Sequence, residues 1–434
     1  MSIELITVAM IGTLLLLLVI GMPMALALGF VAVAFAFAFF GWNALQLISS
    51  RIYGFVGVYV LLAVPMFLLM AAIMDRSGVA RDLYDAMSIW AGGLPGGVAV
   101  MTLIAAVFMA ATTGIIGGEI ILLGLVALPQ MLRLGYQKNL AIGTICAGGS
   151  LGTMIPPSIV LIFYGLTANV SIGILFVAVI MPGLLLASIY LVYTLIRCWL
   201  DPSLAPPVPY EERNIPLVEK LALLKGLFLP IMIIVWVLGS IYGGIASVTE
   251  SAGIGVVGAI ASAWLRKELT WALMRKALLQ TMTTVGVLLW LAFGANALIG
   301  IYNIMGGTGY LRDLISGLPL EPLGIIVVMM LILLVLGCFM DWIGILLLTM
   351  PIFVPVAVEL GYDPVWFGIL FCMNMQASYL SPPFGPAAFY LKSVAPPEIS
   401  MQTIFTGVLP FIGLQVIGLL LVLLFPQVAL WPLG

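Results

Sequence analysis

Residues 152–160 read GTMIPPSIV, with Pro156 and Pro157 side by side inside one of the most apolar stretches of the chain. Proline has no amide to donate and clashes with the preceding helical turn, so the pair interrupts any helix that carries it. The pair recurs in YLSPPFGP at 379–386. Two such breaks decide how the rest of the chain is read, because backbone freed from a helix at membrane depth must line a cavity or bind something.

The surrounding composition is that of a bilayer protein. Of 434 residues, 64% are hydrophobic and 7% charged, and the mean hydropathy is +1.29. That leaves too little polar surface to coat a soluble globule. A net charge of -2 without a basic tract argues against nucleic acid as a partner. There is no histidine, and Cys146, Cys198, Cys338 and Cys372 show no C-x-x-C spacing, which disfavours haem, zinc and disulfide frameworks. No G-x-x-x-x-G-K-[ST] loop is present, so uphill movement would draw on an ion gradient or another subunit. Clustered catalytic acids or a nucleophile beside a base are also missing, and no enzyme activity is expected.

Apolar runs place about ten full spans, near 3–20, 24–41, 53–75, 138–166, 171–197, 226–242, 247–265, 278–304, 364–390 and 398–425. Two further apolar pairs, 95–134 and 321–358, fold around polar or Gly-rich tips and read as re-entrant helical hairpins. With this layout only Arg51 and Arg312 of the 15 basic residues fall on one side. The positive-inside rule then puts both termini in the periplasm.

The two halves resemble each other. PQMLRLGY at 129–136 matches PVAVELGY at 355–362, SGVARDL at 77–83 matches TGYLRDL at 308–314, and the proline pairs match in the same order. The reading is an all-α polytopic membrane protein built from inverted repeats. The first repeat occupies 1–200, with its hairpin at 95–134 and broken helix at 138–166. A cytoplasmic linker and one odd span occupy 201–245, which inverts the second copy. That copy occupies 246–434, with its hairpin at 321–358 and broken helix at 364–390. RDLYDAM after residue 80 and RDLISGL from Arg312 read as amphipathic arms at opposite surfaces.

Carbonyls and hydroxyls at unwound backbone suit a hard monovalent cation such as sodium, and half-helix N-termini suit an anion. Gly148, Gly149, Ser150, Gly152, Thr153 and Ser158 surround the first break. Asn374, Gln376, Ser378, Ser381 and Gly385 surround the second. The hairpin tips add Asp341 and Glu119, since an acid at membrane depth is a functional candidate. Glu250 opens a span and reads as an N-terminal cap paired with Thr249.

Taken together, GLVALPQMLRLGY, GSLGTMIPPS, TESAG, MDWIGILLLTMPIFVP and SPPFG resemble the DctM-like large permease of tripartite ATP-independent periplasmic (TRAP) transporters over essentially the whole chain. The resemblance implies sodium-driven uptake of an organic anion, a carboxylate above all, by an elevator with scaffold and transport domains in the bacterial cytoplasmic membrane. It implies two partners, a separate four-span membrane subunit and a periplasmic substrate-binding protein. It requires no cofactor and no metal but sodium. One sodium site would fall at Thr113, Gly114, Gly148, Gly149, Ser150, Gly152 and Thr153, and a second at Asp341, Gln376, Ser378 and Ser381. Substrate would meet Thr113, Ser150, Pro156, Ser381, Pro382 and Gly385. Many relatives carry Ser-Gly-Ser-Ser at the first tip where this chain has Thr113-Gly114-Ile115-Ile116, which leaves backbone carbonyls as the donors there. The competing reading is a proton- or sodium-translocating antiporter or channel-like subunit. Such machines run ionisable relays through mid-membrane, whereas the lysines here lie at span edges.

Overall fold

The computed structural model describes residues 2–78, 84, 90, 93–114, 117–210, 216–383 and 385–433. All regular elements among them are helical. Seven of these helices or helix runs are long and apolar enough to cross a bilayer. The chain opens with α1 (Ile3–Val19), α2 (Met24–Phe40), α3 (Ala44–Val56) and α4 (Ala63–Arg76). The span expected at 53–75 is therefore corrected. Gly57 ends α3, Val58 is extended, and a 3-10 turn at Tyr59–Leu62 leads into α4. Apolarity runs unbroken through that glycine turn, so hydropathy alone gives no sign of it.

A helix–turn–helix follows, α5 (Gly97–Thr113) and α6 (Gly118–Arg133). The arm expected from residue 81 lies outside the described residues except for Tyr84. The first broken helix is α7 (Lys138–Ser150), a 3-10 turn at Leu151–Thr153, and α8 (Ile159–Ala168). The single span expected at 171–197 is the apolar run Ile172–Leu200, made of α9 (Ile172–Ala178) and α10 (Ile180–Leu200) meeting at Val179. The odd span α11 (Leu217–Tyr242) begins well before the expected 226. After it come α12 (Val248–Leu265), α13 (Trp271–Ile304) and α14 (Gly307–Ser316), the last covering the second expected arm.

The second helix–turn–helix is α15 (Pro322–Gly337) and α16 (Trp342–Glu359). The second broken helix is α17 (Pro364–Leu380) and α18 (Pro386–Val394), and α19 (Met401–Leu424) and α20 (Gln427–Leu430) close the described chain.

Local signals set many of these ends. The Asp363 carboxylate accepts from the Val365 amide at 2.6 Å with Pro364 in the first turn, and Ser400 accepts from Thr403. At the start of α12 the cap is a reciprocal box between Ser247 and Glu250, not the expected Thr249 pair. The Ser247 amide donates to Glu250 Oε2 at 2.7 Å, and the Glu250 amide donates to Ser247 Oγ.

Two apolar cores share the molecule. The larger joins α1–α4, α8, α9, α12, α13 and α15–α17. The smaller joins α5, α6, α7, α10, α18 and much of α19. Each broken helix thus starts in one core and ends in the other. The first hairpin packs on α7 and α18, while the second packs on α17 and α8. The leading halves are the most enclosed elements: every residue from Leu140 to Ser150 and from Val365 to Leu380 is buried. A helix apolar or small all round and wrapped by neighbours is what such burial requires.

Candidate ion and substrate site

The two breaks meet at the centre. Gln376 on α17 donates from Nε2 to the Ser150 carbonyl at 2.9 Å and to Thr153 Oγ1 at 3.1 Å. Gln415 on α19 donates to Ser150 Oγ at 3.2 Å, and that hydroxyl itself donates to the Ala147 carbonyl at 2.7 Å. Ser150, Gln376 and Gln415 are all buried. Neither Gln376 Oε1 nor Gln415 Oε1 has a hydrogen-bond donor among the described residues. A buried acceptor left alone costs about 1–3 kcal/mol. Two such acceptors flank the Ser150–Thr153 turn as hard neutral oxygens, and the buried Tyr190 hydroxyl lies beside Gln415 and Ser150.

Helix geometry explains a regrouping of the expected residues. Positions 374, 378 and 381 share one face of α17, and 376 points elsewhere. Asn374 donates to the Met330 carbonyl at 2.6 Å, and Ser378 lies where a Cβ on Gly337 would sit, both on α15. Gln376 therefore stands with the first break, not with Asp341 and Ser381 as expected. Ser378 and Ser381 donate to their own helix at Asn374 and Ala377, which leaves their oxygen lone pairs as acceptors. Gly148 and Gly149, also expected at the first sodium site, are not on unwound backbone. They lie within regular helix, the Gly148 carbonyl closes the last turn of α7, and a Cβ on either would press on Ala106 or Ile120. Their part is close packing against the first hairpin; the unwound stretch is 151–158. Gly152 sits in its 3-10 turn.

Each hairpin tip touches the break of its own half. Gly114 has φ +64°, and its carbonyl accepts weakly from the Ile159 amide at 3.4 Å. A Cβ there would overlap the Pro157 carbonyl oxygen, so only glycine fits. The Thr113 side chain and residues 115–116 lie outside what is described. At the other tip, Cys338 Sγ lies 3.9 Å from the Pro382 carbonyl. Both proline pairs are joined by cis peptide bonds. Pro156 and Pro157 are buried, however, whereas Pro382 and Pro383 are exposed.

The exposed break borders a cavity of about 760 Å³ between the second tip and α2 and α13. Asp341, Trp342, Tyr379, Pro386 and Tyr390 form one wall, and Thr283, Thr284, Leu288 and Met24 the other. Asp341 holds the N-cap position of α16, with its carboxylate beside the Trp342 and Ile343 amides. Tyr379 and Tyr390 stack with ring centroids 6.4 Å apart, and Tyr390 also lies against Gly117 of the first tip. Gly385 holds φ +34° at the start of α18, and its carbonyl accepts from Ala388. Glu119 is fully buried in the first turn of α6.

The sequence reading missed Gln415, the tyrosine pair and the α13 threonines. Only Gln415 carried a local signal, as an amide inside the otherwise apolar run from Val408 to Leu424.

The family model for the tripartite ATP-independent periplasmic transporter, DctM component, matches residues 11–428. The chain belongs to this family. The C4-dicarboxylate TRAP transporter large permease protein DctM of Pseudomonas aeruginosa is 30% identical over 389 residues, which covers 89% of each chain. The isethionate TRAP transporter permease protein DctMQ of Oleidesulfovibrio alaskensis is 28% identical, covering 90% of this chain and 60% of that one. Among solved structures, the Alcanivorax borkumensis YdaH transporter superposes with a TM-score of 0.64 at 16% identity, over 91% of this chain and 90% of that one, a likeness of fold. The DctM-family chain is a multi-pass permease of the bacterial inner membrane and a transporter, not an enzyme. Membership brings with it a small membrane subunit and a periplasmic binding protein as partners.

Proposed function

We propose that this permease couples sodium entry to uptake of an organic anion handed over by the periplasmic binding protein, the anion's head being a carboxylate. The observation that carries the proposal is the cluster of buried oxygens where the breaks meet: the Ser150 turn, Thr153 Oγ1 and above all the undonated amide oxygen of Gln376. Dehydrated sodium needs such hard neutral donors and no titrating relay. Gly114 and Thr113 lie at the adjoining tip, and their backbone completes this first site.

A second sodium belongs at Asp341 with Ser378 and Ser381. Asp341 faces the 760 Å³ cavity, and an uncompensated carboxylate there would repel an anion. A cation beside it reverses that sign, so substrate and sodium favour each other. The anion then sits against Ser381, Pro382 and Gly385, with Ser150 and Pro156 beneath. Relatives named for a C4-dicarboxylate and for isethionate share an anionic head and little else.

The hairpins and broken helices move as one body against α2, α4, α12 and α13, in two inverted repeats. Both termini lie in the periplasm, and the small subunit contributes four spans. The test is uptake by proteoliposomes holding this chain, its small subunit and the binding protein. An inward sodium gradient should drive accumulation, an equal potassium gradient should not, and equal rates in the two would refute sodium coupling.

A further inference from the structure

A second cavity, of about 690 Å³, lies at the opposite end of α13 from Lys276. Arg51 on α3 forms one wall, Asn296 and Asn303 of α13 another, and Asn169 and Ser171 of the α8–α9 junction a third. Leu347 and Pro351 of the second hairpin complete it, so this space also separates α13 from the hairpin-bearing body. No acid lines it.

Its donors are arranged toward the space. Arg51 makes no hydrogen bond or ion pair among the described residues, unlike Arg312, which pairs with Glu359. Its stem lies along α13 at Gly300, where a Cβ would come within 3.2 Å of Arg51 Nε. Thr308 donates to Asn303 Oδ1, which leaves the two N–H bonds of that amide for a ligand. The Asn296 amide nitrogen donates to Ala292 at 2.9 Å, and its oxygen remains as an acceptor for a ligand hydroxyl.

We infer that Arg51, Asn303 and Asn169 form an outer binding site for a small organic anion, at which incoming substrate is held before it reaches the hairpin tips. The inference rests on the uptake reading for its direction. Both cavities open along α13: Thr284 borders the inner one and Asn296 the outer, a rise of about 18 Å at the helical repeat. The volume is that of a small-molecule pocket, and guanidinium with amide donors is the chemistry that holds carboxylate or sulfonate.

The test begins with the purified wild-type chain in phospholipid-free micelles, without sodium, treated with phenylglyoxal, and arginine modification is read residue by residue by mass spectrometry. Succinate or isethionate should slow modification of Arg51 about tenfold relative to chloride at matched ionic strength, and leave Arg312 unchanged. The inference is overturned if neither anion protects Arg51, or if only anionic phospholipid in nanodiscs or the added binding protein does. In the complete system, Arg51→Gln should raise the KM for the anion about tenfold with the maximal rate nearly kept, and Arg51→Lys should lie between; an unchanged KM in Arg51→Gln overturns it as well. Protection needs no gradient, so it survives if sodium coupling fails, and sodium-driven uptake survives if protection fails.

Discussion

At the residue scale, the buried amide of Gln376 ties together two backbones that are distant in the chain. Replacing it with leucine removes the donor to the Ser150 carbonyl and to Thr153, and also one of the two undonated oxygens. Gln376→Leu should raise the sodium concentration for half-maximal uptake about tenfold, with a smaller change in the KM for the anion; uptake titrated with sodium at fixed anion checks this. The residue was legible in the sequence as a polar group inside a buried helix, but its side was not. The resemblance puts 376 and 381 in one site, whereas the helical repeat turns them toward different neighbours. Gly148 and Gly149 illustrate the converse. Glycine next to a break suggests unwound backbone, yet the need here is for hairpin and helix to approach within a side chain's thickness.

At the element scale, the broken helices and both helix–turn–helix pairs were legible, because proline pairs and Gly-rich tips are punctuation that packing does not override. The helix starts of the odd span and of α13 were less so. Polar residues such as Lys220 and Lys276 continue a helix beyond the apolar stretch, and hydropathy marks the bilayer, not the end of the helix. The break of α3 was hidden for the opposite reason, apolar on both sides of Gly57. If the unwound stretch 151–158 is what holds the first ion site open, restoring two amides there should damage coupling. Pro156→Ala combined with Pro157→Ala should cost most of the sodium dependence of uptake at near-normal membrane levels of the protein. Sodium dependence equal to wild type would mean that the break serves packing alone.

At the scale of the whole molecule, α13 is the longest described helix at 34 residues, about 51 Å, well beyond a hydrocarbon core of about 30 Å. It packs on α2, α3, α4 and the second hairpin. The proposed motion of the hairpin body would run against this wall and α2. Gly344 on α16 lies so close to Met24 on α2 that a Cβ would overlap the methionine methyl. Cysteines at 24 and 344, in a chain whose own four are replaced, should be bridged by mercuric ion and lose uptake, with recovery when excess dithiothreitol takes the mercury. Full uptake by the bridged protein would contradict sliding between these surfaces. The sequence held the membrane class and the order of parts, but which half-helix joins which core depends on contacts between halves that no local pattern encodes.

One contact carries a historical consequence. Ser150 and Gln376 are 226 residues apart, the same offset that relates the proline pairs. Under the proposed duplication they are one ancestral position facing its own copy. On that reading the two copies have come to differ in what they offer at the centre, one a long side-chain amide, the other a small hydroxyl beside its main-chain carbonyl.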